Sequence, residues 1–280
     1  MKKETQPKKA AAFQEPKRIL VIGESDSLGA TGIQGDTQTI LALGGHAMTA
    51  ITALTTHKAH EILSIKDITP ALVEEQINSV LQYVVVDGVK VGFLRNKEII
   101  TVVARVLENL KAQKIPVVVD PCIVSRSGKF LMDNEDIAAL KRDIYIHTTA
   151  LTPNLTEAEA LGVMNILHID DMRHAADMMR TLGVENVLLK GRRLEGNREL
   201  YFLATAKEER VFKKETVNTS HTLGAGNVLS SALTVYLARG MNIFDAFDEA
   251  LSFLHQTMVH TNGLGMKIGP VNHGFAWQSL

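Results

Sequence analysis

The residues with the most chemical promise lie late in the chain, in the run Thr222-Leu223-Gly224-Ala225-Gly226-Asn227. A stretch with helical apolar spacing follows directly. Two glycines let the main chain approach a ligand closely and turn its amides inward. A helix that begins there adds the positive end of its dipole. Together these features can cradle a phosphoryl group that gains charge during transfer. The pattern is not a P-loop, because the chain has no G-x-x-x-x-G-K-[ST]. It also lacks the third glycine and the early position of a dinucleotide fingerprint. By itself, a Gly-x-Gly ahead of a helix is as often only a tight turn.

Other polar groups fall at comparable places. Asp120-Pro121-Cys122, Thr152-Pro153-Asn154 with Glu157, and Leu189-Lys190-Gly191 each follow a short apolar run. Each also has a plain structural reading. Asp120-Pro121 suits a turn. Asn154 and Glu157 have the spacing of a capping box. Lys190, Arg192 and Arg193 suit a solvated charge cluster. His57 and His60 lie three apart, but no carboxylate or cysteine at ligand spacing supports a metal site. Nothing near Cys122 would lower its pKa, so it reads as a small packing residue.

The elements that must position these groups alternate between β-branched runs and helical stretches. Strands are expected at 18–23, 47–54, 87–94, 116–120, 150–152 and 186–190, with a hairpin at 200–202 and 210–212. Helices are expected at 31–43, 70–83, 98–113, 170–182, 224–239 and 243–260. Strands alternating with helices mean a mostly parallel sheet with helices on both faces. Ligands then sit beyond the carboxyl ends of the strands, which is where the polar groups above fall.

Bulk properties narrow the field. The 280 residues are 45% hydrophobic and 22% charged, with a net charge of −1 and one cysteine. Such a chain buries a sizeable core without disulfides or a structural metal. Its balance gives no reason to bind nucleic acid or anionic membrane. No apolar run is long enough to span a bilayer. The lysine-rich start reads as a disordered tail over 1–16, ahead of one domain at 17–280, in a cytoplasmic protein.

Taken in order, six segments resemble motifs of the ribokinase-like kinases, closest to the hydroxymethylpyrimidine/phosphomethylpyrimidine kinases. They are 25–36, 119–128, 152–159, 189–191, 224–227 and Gly269-Pro270-Val271-Asn272-His273. The likeness covers about 17–275 of the chain. It implies a three-layer α/β/α fold, an ATP- and Mg²⁺-dependent transfer to a small hydroxymethyl compound in thiamine supply, and a homodimer. It further implies an anion hole at Gly224, Ala225, Gly226 and the Asn227 amide, with residue 227 at the general-base position. Lys190, Asn154 and Thr222 would contact nucleotide, and Glu157, Asn154 and Asp120 would order the metal. Gly23, Asp36, His57, Phe93 and Val124 would shape the substrate pocket.

Several positions depart from the motifs. Asn227 stands where the family has Asp or Cys, and a carboxamide cannot take a proton. His57 replaces a Gln or Glu, and Phe93 replaces a Met that packs on the substrate ring. Leu28 and Thr31 replace small residues, and Glu24 reads as a one-residue insertion. His221 and Asp36 are candidate substitute bases. A non-catalytic binding paralogue and a pyridoxal-type kinase are therefore kept beside the first reading. A sugar kinase is disfavoured by the Gly269-Pro270-Val271-Asn272-His273 ending and because the sequence shows no lid-like strand insertion.

Overall fold

The computed structural model describes residues 15–58, 61–161, 165–193 and 198–275. Most of the expected tail, and His60, lie outside them, as do the side chains of Arg192 and Arg193. Among the described residues, nine strands form one sheet in the order β3-β2-β1-β4-β5-β6-β7-β8-β9. They are β1 Arg18–Asp26, β2 His46–Lys58, β3 Glu61–Asp67, β4 Gly88–Val91, β5 Val117–Val119, β6 Ala150–Leu151, β7 Asn186–Arg193, β8 Arg198–Ala204 and β9 Glu209–Glu215. The six strands from β2 to β7 run parallel; β3 closes one edge antiparallel, and β8 and β9 close the other.

Eight α-helices accompany them among the described residues: α1 Gly32–Ala42, α2 Pro70–Tyr83, α3 Lys97–Ala112, α4 Asn134–Ala139, α5 Leu155–Ala160 and α6 Ile169–Thr181 between strands, and α7 Ala225–Ala238 and α8 Ile243–Val259 after β9. The strand side chains alternate between two cores, as the pleat requires. Leu20, Ile22, Val117, Val119, Val187 and Leu189 face the layer of α2, α3 and α6. Ile19, Val21, Val118 and Leu188 face the layer of α1, α7 and α8. The result is the expected three-layer α/β/α arrangement. No helix of the described residues is long and apolar enough to cross a membrane.

The observed elements differ from the expected ones in two places. β2 runs to Lys58, past its expected end at 54, and pairs with β3. This edge hairpin is a strand insertion that the sequence reading did not contain, because β3 has no clean alternation of apolar and polar faces. Glu24 sits at a register irregularity between β1 and β2: the pairs Gly23–Ile51 and Ser25–Leu54 place one additional residue on β2. The helical turns between Asn134 and His147 were also not anticipated.

The most consequential core feature is a charge. Lys90 lies in β4, whose four residues are all buried, and its neighbour Gly88 packs against α7. On that side Lys90 Nζ donates to Asp36 Oδ2 of α1 at 2.7 Å. The other oxygen, Asp36 Oδ1, accepts from Asn227 Nδ2 at 3.0 Å and Ser231 Oγ at 2.8 Å, both on α7. Burial pulls the Lys90 ammonium toward neutrality, but the acidic groups around it, Asp36 first and Asp120 and Glu24 with it, together outweigh burial and hold the group ionised. The pair thus ties the sheet to two helices.

The C-terminal segment docks on the start of α7. Leu223 N donates to Gly269 O at 3.1 Å, and Val271 N to Leu223 O at 3.0 Å. His273 is buried behind Gly224, and its Nε2 has no partner among the described residues. Burial pushes its pKa down to about 4.

Two measurements check these packing arguments. Lys90→Met strands a buried carboxylate and is expected to lower unfolding free energy by about 3–5 kcal/mol in urea denaturation. Adding Asp36→Asn removes the stranded charge and should recover part of the loss. For His273, the unfolded imidazole titrates near 6.5. Between that pH and about 4, the unfolded chain binds a proton that the folded chain refuses. Stability should therefore fall with falling pH by roughly 1.4 kcal/mol per unit. His273→Leu should flatten the profile across that window.

Candidate active site

The site lies where the carboxyl ends of β1, β5, β6 and β7 meet the start of α7, the edge at which open α/β sheets hold ligands. Its first wall is the loop after β1. Asp26 is buried and accepts the amides of Leu28 at 2.8 Å, Ala30 at 3.1 Å and Thr31 at 2.8 Å. This fixes the loop and points Ala30 O at residue 224. A Cβ at position 224 would lie 2.1 Å from that oxygen, and Gly224 has φ +83°. Only glycine meets both demands.

Gly224 caps α7, so the amides of Ala225, Gly226 and Asn227 form its first turn. Ala225 N makes a long contact of 3.3 Å to Thr222 O. The Gly226 and Asn227 amides find no acceptor among the described residues, as expected of the first turn of a helix. They border a cavity of about 640 Å³. The first-turn amides expected to form an anion hole therefore border open space.

Across this cavity Lys190 Nζ donates to Asp120 Oδ1 at 2.7 Å. A Cβ at position 226 would lie 3.3 Å from both Asp120 Oδ2 and Lys190 Nζ. Gly226 thus lets the ion pair sit against the helix start. Lys190 is held in place by its own amide, which donates to Pro153 O at 2.9 Å. Burial opposes its charge, but Asp120 and Glu157 raise its pKa on balance. Glu157 lies on the same wall. Burial, reinforced by Asp120 and opposed by Lys190, lifts its carboxyl to about 7.

The capping box is present. Glu157 N donates to Asn154 Oδ1 at 2.8 Å, and Asn154 N donates to Glu157 Oε2 at 3.0 Å. Asn154 Oδ1 is thereby engaged in starting α5, while Glu157 keeps one oxygen outside the box. No group of three or more His, Cys, Asp or Glu side chains suited to hold a metal occurs among the described residues. Asp120 and Glu157 are a pair of hard oxygen donors, which suits a cation that keeps most of its own water.

A second cavity, of about 160 Å³, adjoins the first. Its own walls include Glu24, His57, Ile62, Phe93 and Leu131. The two cavities share Thr31, Cys122, Val124, Glu157 and Asn227 among their lining residues. Asn227 therefore stands at their junction. Its Nδ2 donates to Asp36 Oδ1 and, at 3.4 Å, to Gly32 O. Both partners are acceptors, so the amide is oriented with nitrogen inward. Its Oδ1 accepts no hydrogen bond among the described residues and can take one from a ligand hydroxyl.

Most of the expected site residues converge here. Gly224, Ala225, Gly226, Asn227, Thr222, Lys190, Asn154, Glu157 and Asp120 line the larger cavity. His57, Phe93 and Val124 line the smaller. Two do not fit. Gly23 is buried in β1 with its α-carbon facing Gly92, and it lines neither cavity. Asp36 is buried beneath Asn227 and reaches a ligand only through it. Neither substitute base is available: Asp36 is enclosed, and His221 Nδ1 accepts the Gly269 amide at 3.0 Å, away from both cavities.

Sequence reading missed three groups. Lys90 was readable as a lysine inside an apolar run, since a fully buried lysine must be paired. Glu24 was readable as a carboxyl at the end of the first strand. Arg126, which donates to Thr222 Oγ1 at 2.8 Å and lines both cavities, carried no local signal.

Known proteins share this arrangement over most of its length. The family model described as phosphomethylpyrimidine kinase matches residues 26–272. A hydroxymethylpyrimidine/phosphomethylpyrimidine kinase of Bacillus subtilis is 34% identical over 257 residues, covering 91% of this chain and 94% of that protein. Among solved structures, the ADP complex of Bacillus subtilis pyridoxal kinase superposes with a TM-score of 0.84 at 28% identity, covering 94% and 99% of the two chains. The phosphomethylpyrimidine kinase of Clostridium difficile gives 0.74 at 31% identity, covering 86% and 98%. With its motifs in sequence order and its open helix start on the ligand edge, the chain belongs to the phosphomethylpyrimidine kinase family.

Proposed function

We propose that this protein transfers the γ-phosphoryl group of ATP to the hydroxymethyl oxygen of a hydroxymethylpyrimidine-type compound, as a step of thiamine biosynthesis. The single observation that carries this reading is the pair of unpaired amides at Gly226 and Asn227, opening between a large polar cavity and a small apolar one. The nucleotide phosphates occupy the larger space and the ring the smaller. The ring's hydroxymethyl arm reaches past Asn227 toward the amides.

Each residue has a task in this reading. Lys190, paired with Asp120, places positive charge beside the phosphates. The α7 amides receive the oxygens of the transferring group, whose charge spreads during a loose transition state. Asn227 Oδ1 accepts the substrate hydroxyl and aligns its oxygen with phosphorus. The new O–P bond forms as the bond from phosphorus to ADP breaks. The hydroxyl proton, which Asn227 cannot take, passes to an oxygen of the transferred phosphoryl group. Asp120 and Glu157 are the residues that fit Mg²⁺, with Asn154 serving through the cap that orients Glu157. Held there, such an ion would supply positive charge against the phosphates.

A pyridoxal-type substrate is the second reading. It is favoured by the likeness to a Staphylococcus aureus pyridoxal kinase solved with AMP-PCP and pyridoxal, with a TM-score of 0.83 at 28% identity over 93% of this chain and 94% of that one. A homodimer joins the proposal through Leu54 and Leu63, both exposed on the edge hairpin. The single cysteine suits a reducing cytoplasm.

The direct test is ADP release from ATP, Mg²⁺ and hydroxymethylpyrimidine. Wild-type rates should exceed those of Asn227→Ala by about tenfold or more, and equal rates would leave a binding paralogue as the better reading. Gly226→Ala pushes a methyl group into the Asp120–Lys190 pair and should lower kcat by about 100-fold. Asn227→Asp puts a carboxyl beside Asp36, where two carboxylates share a proton. Its rate should rise above wild type with increasing pH, toward about 100-fold as a base becomes available. A pH-independent rate at or below wild type would contradict this geometry.

A further inference from the structure

Glu24 is an ionisable side chain of the small cavity that the kinase reading leaves without a task. Glu24 closes the carboxyl end of β1 and lines that cavity together with Phe93, Val124, Leu131 and Asn227. Glycines make room for it. A Cβ at Gly32 would lie 3.2 Å from Glu24 Oε1, and one at Gly92 would lie 3.7 Å from Oε2. Its carboxyl makes no hydrogen bond or ion pair with another side chain among the described residues; its partners are the backbone at Phe93 and at its own position. The nearest cation, Lys90, is already committed to Asp36. His57, the other titratable group on the strand side of the cavity, turns its Nε2 toward Asp26 at 3.4 Å and Thr55 Oγ1 at 3.3 Å. A carboxyl without a side-chain partner is thus presented to a pocket of single-ring size, with only backbone groups beside it.

We propose that Glu24 is the specificity-determining group of this pocket: as a neutral carboxylic acid it pairs with the N–C–NH₂ edge of an aminopyrimidine, its O–H donating to the ring nitrogen and its C=O accepting from the amino group. This inference rests on the kinase reading and names the substrate edge that the kinase selects. The carboxylic acid presents one donor beside one acceptor, and the aminopyrimidine edge presents the complementary acceptor beside a donor. A carboxylate has no donor and would face the ring lone pair with a negative charge. A pyridine ring bearing only hydroxyl and aldehyde groups lacks the amino–imine edge, so Glu24 favours the aminopyrimidine over it.

The electrostatics supply the required proton. Burial lifts Glu24 to about 7, against the opposing charge of Lys90. The groups facing it are Lys90 from β4, Asp36 from α1, Cys122 from the loop after β5, and His57, Arg126 and Glu157 around the cavity. At neutral pH the acid form is well populated, and as pH rises through about 7 it is lost.

Steady-state kinetics between pH 6 and 9, with 4-amino-5-hydroxymethyl-2-methylpyrimidine and with pyridoxal, test this directly. For the wild type, KM for the aminopyrimidine should rise toward tenfold per pH unit above the Glu24 transition. Glu24→Gln keeps one donor beside one acceptor without titrating. It should retain kcat and show a flat KM profile. Every other titrating group is present in that variant, so the difference between the two profiles belongs to Glu24. Glu24→Ala should raise KM for the aminopyrimidine by about 10–100-fold and leave pyridoxal no worse.

Two outcomes overturn the assignment. A loss of kcat in Glu24→Gln with KM unchanged would make Glu24 the proton acceptor instead. An unchanged ratio of aminopyrimidine to pyridoxal KM in Glu24→Ala would leave it a wall residue. If no variant turns over either compound, the kinase reading fails separately. Calorimetric titration with the aminopyrimidine then reads the same pH dependence and the same Gln and Ala differences as Kd; absence of that dependence refutes the Glu24 role.

Discussion

The contact between Lys90 and Asp36 governs the rest of the molecule. It joins β4 of the sheet to α1, and through the second oxygen of Asp36 it reaches Asn227 and Ser231 on α7. A buried ion pair of this kind is weak evidence for stability, because desolvation offsets most of the Coulomb attraction. Its value here is positional. Asp36 accepts from Lys90 on one oxygen and from two groups of α7, Asn227 and Ser231, on the other, and these last two set the rotation of α7 about its axis. That rotation decides where the first-turn amides point.

The functional edge is assembled from short loops held by local hydrogen bonds. Asp26 organises the loop after β1, the Asn154–Glu157 box starts α5, and Leu223 pairs with both Gly269 and Val271. Gly224 and Gly226 then let main chain and side chains approach where any Cβ would intrude. Positive groups and unpaired amides line the large cavity, while the small one is mostly apolar. This division suits a reaction between a highly charged donor and a small ring.

Asn227 has a meaning in this setting that its identity alone does not convey. Read in isolation, it is a base that has been lost. Read against Asp36, it is a donor matched to a buried acceptor, with its carbonyl turned to the junction of the cavities. Two carboxyls, Glu24 and Glu157, line the smaller cavity beside it.

The alternation of apolar runs, the late glycine turn and the six ordered motifs were enough to specify the three-layer fold and most of the cavity lining. These features are local: periodicity, capping and turn chemistry are set by neighbours in sequence. The tertiary structure decided what depends on distance between remote residues. It enclosed Asp36 and Gly23, removed His221 from the chemistry, and added β3 as an edge strand. It also brought Lys90, Glu24 and Arg126 into the account. The physical reason is that burial and pairing set both the charge and the reach of an ionisable group, and the partner of Lys90 lies 54 residues away in the chain.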